Sequence, residues 1–279
     1  MKFVRGLFVA ALGAFVLALW ATAPASARDT MADIKARGKL VVGVKTDYKP
    51  WGFLDASGKV VGLEPDLAAD VAKRLSKELG TPIGVEYVPV VASNRMQFLQ
   101  QGRIDLMIAT MSHTKEREAL VGIVNPDYYA DGADILAKKG SGLRSWDDVK
   151  GKPICGIQGA FYNKDLQDKY GATLVAFPGT AEALNALKQG NCIGLLYDNA
   201  FTLARAQEPD WSGYDKPLPQ IDVTPWGLAV DKSDDKFMAF MSNVVKDWHK
   251  TGTIIALEKK YGIPPSDWSK KMMADANKK

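Results

Sequence analysis

Short aliphatic runs alternate along this chain with longer stretches whose apolar positions recur every three or four residues, the pattern of strands alternating with helices. Lys39–Lys45 reads as the first strand. After Pro65, a favourable early helical residue, Leu67, Val71, Leu75 and Leu79 fall on one helical face. Val85–Val90 is a second strand, Ser93 the expected N-cap of a helix ending at Gly102, and Ile104–Ala109 a third strand buried on both faces. Gly132–Lys138 then reads as an extended segment leaving this first set of units.

A second set follows. Ser145 and Asp148 have capping-box spacing, ahead of strand Lys152–Ile157 and helix Ala160–Tyr170, closed by Gly171. Strand Thr173–Phe177, a Thr180-capped helix ending at Gly190, and strand Cys192–Tyr197 complete it. Pro225–Val230 returns to the first set, and Asp234–His249 forms a long helix. Its Phe237, Phe240, Met241, Val244, Val245 and Trp248 have the spacing of a core face rather than of a cofactor box. Regular alternation predicts an α/β architecture with mainly parallel sheets. Crossings near 132–138 and 225–230 imply one lobe inserted into another: 28–133 with 230–279 as lobe 1, and 134–229 as lobe 2.

The amino terminus changes the picture of where the chain works. Lys2 and Arg5 precede an apolar stretch from Gly6 to Ala23 and then Ala25-Ser26-Ala27, the layout of a secretory signal cleaved after Ala27. A membrane anchor is the alternative for that stretch, and the small residues at the cleavage positions decide against it. The mature chain of about 250 residues suits two lobes better than one core. Formal net charge is +4 and becomes +2 once Lys2 and Arg5 are removed, too balanced for a nucleic-acid binder. Cys155 and Cys192, the only cysteines, stand in neighbouring strand-like segments. In an exported protein such a pair is expected to form one disulfide, with two reduced core cysteines as the alternative. No Cys-x-x-Cys occurs and His113 and His249 stand apart, so neither metal nor cofactor is expected.

Candidate chemistry concentrates in Gln101–Tyr129. Just past the third strand, the hydroxyls of Thr110 and Ser112 and the N–H groups of a short helix could surround an anion, and Arg117 offers a planar fork matched to a carboxylate. Arg117 read alone could equally be a surface arginine of a charged helix. The order Gly102-Arg103-Ile104-Asp105, Thr110, Ser112, Thr114, Glu116, Arg117 and Asn125-Pro126-Asp127-Tyr128-Tyr129 resembles the signature of periplasmic family 3 amino-acid-binding proteins of ABC transporters. The resemblance covers essentially the whole mature chain. It implies the type II periplasmic-binding-protein fold, with each lobe a mainly parallel sheet flanked by helices and the two joined by hinge strands. It further implies a monomeric periplasmic carrier, without catalysis, whose partners are a free amino acid and a membrane ABC permease.

Carried onto this sequence, the resemblance assigns the ligand carboxylate to Arg117, Thr110 and Ser112 and the ammonium to Asp198, which could also cap the helix beginning at Asn199. It places Tyr48 on the ligand's aliphatic stem with Trp51 beside it, although Trp51 could simply anchor its loop. Lys45 and Arg95 stand where members binding acidic amino acids carry basic groups, which favours glutamate or aspartate, although Lys45 could point to solvent and Arg95 could serve lobe packing. Gln158-Gly159-Ala160-Phe161-Tyr162, with Gln158 and Phe161 counted among the ligand-binding residues, departs from the family's Gly-Ser/Thr-Thr and removes hydroxyls, leaving backbone N–H groups at that helix start to serve or Phe161 or Tyr162 to shape the pocket. An exported lyase on this scaffold, similar to cyclohexadienyl dehydratases, and a soluble sensory component are the rival readings. The first needs a general acid that the cleft does not offer beyond Asp198. The second needs a signalling partner.

Overall fold

The computed structural model describes residues 28–278; the expected signal peptide lies outside them. Two larger sheets divide the chain, beside a small three-stranded one of Asp47–Tyr48, Gly52–Leu54 and Val60–Val61. In the first larger sheet, strands run in the order Gly84–Pro89, Lys39–Val44, Leu106–Met107, Ala229–Val230, Gly122–Ile123. Gly84–Pro89 and Leu106–Met107 pair parallel with Lys39–Val44, whereas Ala229–Val230 enters antiparallel from the far end of the chain. The second sheet runs Thr173–Phe177, Pro153–Ile157, Gly194–Asp198, Tyr129–Lys138, Tyr214–Asp215, and Ile221–Trp226 also pairs with Tyr129–Lys138. This is an α/β fold of two lobes, one inserted in the other.

Burial follows the apolar pattern. Leu67, Val71 and Leu75 of helix Leu63–Leu79 are fully buried, as are Phe237, Met241, Val245 and Trp248 of helix Asp235–Thr251. Asp234 caps the latter, its carboxylate accepting from the Phe237 N–H at 2.8 Å. The Ser145–Asp148 capping box forms, though it opens a 3₁₀ turn, Trp146–Val149. Cys155 and Cys192 are bonded, tying the Pro153–Ile157 strand to the loop before Gly194–Asp198. Among the described residues no helix is long and apolar enough to cross a membrane.

Several local expectations are corrected. Ser93 does not cap the next helix: Arg95–Gln100 has Asn94 at its N-cap, and the Asn94 side chain instead accepts from the Val91 N–H at 2.9 Å. The helix expected from Ala160 begins only at Asn163, because 158–162 forms the loop that meets the other lobe. Thr180 is the first residue of its helix rather than the cap. Gly179 holds the cap position without a side chain, and Asp47 of the first lobe supplies the oxygen, accepting from the Thr180 N–H at 3.1 Å and its hydroxyl at 2.9 Å. The first crossing falls earlier than the expected 132–138: Tyr129–Lys138 is already a second-sheet strand, so the chain passes between lobes at 124–128 and again at 227–228. There Val124 donates to the Leu228 carbonyl at 2.9 Å and Tyr128 to the Trp226 carbonyl at 3.0 Å. Two further helices, Thr253–Lys260 and Asp267–Ala276, finish the chain without having been anticipated. The buried Glu258 carboxylate joins them, accepting from the Ser266 N–H at 3.1 Å and the Ser269 hydroxyl at 3.0 Å.

Candidate ligand-binding site

The carboxyl ends of both parallel strand sets face each other across the cleft, where loops rather than ladder hydrogen bonds set the side chains. Thr114 caps helix Lys115–Leu120, so Arg117 in its first turn folds back toward the strand end. Its guanidinium donates to the Ser112 carbonyl at 2.7 Å and, across the cleft, to the Gly159 carbonyl at 3.0 Å. Arg95 comes from the helix behind and donates to the Ala109 carbonyl, while its Nε is buried without an acceptor. Thr110 takes a left-handed backbone, φ 45°. Its N–H is held by Glu64 at 2.7 Å, and its hydroxyl is buried and unpartnered.

Lobe 2 answers with one acid. Asp198 ends strand Gly194–Asp198 and accepts the Tyr48 hydroxyl on one oxygen and the Tyr162 hydroxyl on the other, each at 3.0 Å. It occupies the N-cap position of helix Asn199–Ala206, yet its side chain does not cap; Asp131 accepts the Ala200 N–H instead, at 2.7 Å. Lys45 extends across the cleft to the Tyr197 hydroxyl at 2.6 Å, its ammonium 4.3 Å from the Tyr48 ring centroid. Together with Ala92, Ser112, Ala160 and Phe161 these groups line a cavity of about 10 Å³, room for roughly one water, so a larger ligand must displace side chains or part the lobes. A groove of about 280 Å³ beside Leu203 and Tyr261–Pro264 is larger but mostly apolar and shares no lining residue with this cavity.

Electrostatics set this cavity apart. Lys45, Arg95 and Arg117 face a single lining acid, Asp198, with Glu64 buried beneath. Burial pushes Lys45 down to about 8 even though Asp198 opposes the shift. Burial, and then the neighbouring Arg95, hold Arg117 below the ordinary arginine range, and burial raises Glu64. Crowding cations in a desolvated space is unfavourable until an anion joins them.

Of the residues singled out from sequence, Lys45, Arg95, Thr110, Ser112, Arg117, Phe161 and Asp198 line the cavity, and Tyr48 reaches it through Asp198. Two do not come to it. Trp51 is fully buried at the crossing, packed edge-on against Tyr129 and Trp226 with centroids 4.4 Å and 5.0 Å away. Gln158 is exposed and contributes its backbone N–H to the Phe177 carbonyl at 2.8 Å. Tyr197 and Glu64 were missed. Strand alternation sends Tyr197 and Asp198 to opposite faces, but the strand ends at Asp198 and both line the cavity. Glu64 lies in a helix start that reads as purely structural.

The two lobes, their double crossing and a charged site sealed between them define a solute-capture protein that closes around a small ligand. Residues 40–264 match the bacterial extracellular solute-binding proteins, family 3, and the chain belongs to that family. It is 31% identical over 239 residues to the ABC transporter glutamine-binding protein GlnH of Bacillus subtilis, covering 85% of each chain. It is 25% identical over 240 residues to the glutamate/aspartate import solute-binding protein of Salmonella typhimurium, covering 82% of this chain and 78% of that one. Among solved structures, the solute receptor for L-cysteine of Neisseria gonorrhoeae superposes with a TM-score of 0.77 at 26% identity, over 84% of this chain and 93% of that one.

Proposed function

We propose that this protein captures a free acidic amino acid, glutamate or aspartate, in the periplasm and delivers it to an ABC-transporter permease. The observation that carries this reading is the charge of the cavity: three cations against one lining acid. A zwitterion needs one cation for its carboxylate and one anion for its ammonium, and here Arg117 and Asp198 take those roles. Lys45 and Arg95 are then in excess, which suits a ligand with a second carboxylate. The Salmonella relative, named for glutamate and aspartate, supports the same ligand class.

Glutamine is the second reading, favoured by the Bacillus relative, which is named for binding it. Calorimetric titration of the mature chain with glutamate, aspartate and glutamine separates them. Micromolar binding, about −8 kcal/mol, is expected for an acidic amino acid, with glutamine at least tenfold weaker and the ligand recovered unaltered. Tighter binding of glutamine than of either acid, or chemical conversion of the ligand, would sink the proposal.

A further inference from the structure

We infer that the Tyr197 hydroxyl, oriented by Lys45, determines specificity by reading the ligand's side-chain terminus as a carboxylate and rejecting the matching amide. This deepens the acidic-ligand reading and rests on it. Tyr197 is buried and lines the cavity. Its oxygen lies 2.6 Å from the Lys45 ammonium, which has only hydrogens to give. Tyr197 is therefore the acceptor in that bond, and its own hydroxyl hydrogen is turned away from Lys45, free for another acceptor. Lys45 keeps two further N–H groups, and the Arg95 Nε is buried with no acceptor. This end of the cavity is thus rich in donors.

A carboxylate brings two oxygens and no hydrogen, so it accepts from the phenol, the ammonium and the guanidinium together. An amide has one oxygen to offer, and its NH₂ group would meet donors, leaving buried hydrogens unpaired on both sides. Discrimination of this kind, built on satisfied versus orphaned polar groups, exceeds what shape alone provides. Two cations attract any anion by charge alone, whereas a hydroxyl whose hydrogen is turned from Lys45 has a direction. Tyr197 is fixed by packing: its ring meets Phe201 at a centroid distance of 5.2 Å and Tyr48 at 5.5 Å. Burial also raises its phenol well above the usual range, so the proton it donates is retained.

The test is titration of wild type and Tyr197→Phe with glutamate and glutamine at pH 7, read as the ratio of the two affinities. Loss of one hydrogen bond to a charged group predicts a fall of about tenfold or more in the glutamate-to-glutamine ratio, carried by glutamate, with glutamine affinity little changed and the melting temperature reporting an intact fold. Tyr197→His, which keeps a donor in a rigid ring, should recover part of the ratio and serves equally if the phenylalanine variant does not fold. A wild type that prefers glutamate and a Tyr197→Phe variant with the same ratio would overturn the role of Tyr197 alone. A wild type that does not prefer glutamate overturns the acidic-ligand reading itself, whatever the variant does.

Discussion

At the scale of single residues, Arg117 and Lys45 separate two kinds of electrostatic work. Arg117 is held by the Ser112 carbonyl of its own lobe, so its fork is aimed before ligand arrives, and the Gly159 carbonyl joins it where the lobes meet. Arg117→Ala removes the partner of the ligand carboxylate and should weaken binding about a hundredfold, measured by calorimetry. Lys45 adds charge that can be titrated. An anion beside it favours the protonated form, so affinity for an acidic amino acid should be flat below about pH 8 and fall above it, by up to about tenfold per pH unit. Lys45→Met should abolish that fall. The sign for folding is opposite: with its folded value depressed from 10.5 to about 8, Lys45 favours the fold above the unfolded value, and this is lost as pH falls through 8. Lys45→Met should therefore raise the ligand-free melting temperature at pH 7. These side chains were legible in the sequence through their order: a charged residue alone has a bland surface explanation, and strand, hydroxyls and Thr-x-x-Arg in succession set Arg117 apart. Tyr197 and Tyr162 were harder to assign, because a tyrosine beside a strand end packs a core as readily as it lines a pocket.

At the scale of elements, long helices and buried strands were legible and their ends were not. Leu67, Val71 and Leu75 give the core face of their helix directly, since nothing else satisfies a repeat of four. The starts at Ser93, Ala160 and Thr180 were misjudged for different reasons: Asn94 takes the cap position next to Ser93, 158–162 is drawn into the loop facing the other lobe, and Asp47 lends its oxygen to Thr180 from across the cleft. Trp51 was misplaced likewise, for an aromatic near a ligand loop can serve the crossing strands behind it. The disulfide bridges two elements of one lobe at a sequence separation of 37. Closing such a loop stabilises by about 3–4 kcal/mol in the chain-entropy view. The paired Cys155→Ser, Cys192→Ser variant should lose roughly that in urea unfolding, the loss arising in lobe 2.

At the scale of the whole molecule, closure depends on how nearly the lobes can approach. Gly159 carries a backbone φ of +83°, and a Cβ there would stand 2.8 Å from the Ala92 carbonyl and the Ser93 nitrogen of the opposite lobe. Gly159→Ala should leave two folded lobes that cannot fully meet. Small-angle scattering would then give a larger radius of gyration with saturating ligand than wild type has, alongside weaker binding. The double crossing made the two lobes legible from sequence; the side-chain contacts between them were not, because they join residues far apart in the chain, 42 positions for Arg117 and Gly159 and 150 for Tyr48 and Asp198.

The cap lent by Asp47 to the Thr180 helix ties local order to global shape. Parting the lobes withdraws the carboxylate that caps a helix start whose own cap is a glycine, so the first turn should fray as the cleft opens. Opening then gains chain entropy in lobe 2 as well as losing contacts, which makes the open form more favourable with rising temperature than hinge rotation alone would. Deuterium uptake at the amides of 180–182 becomes a built-in gauge of the open fraction: fast in the free protein, slowed by ligand, and insensitive to ligand in Asp47→Ala.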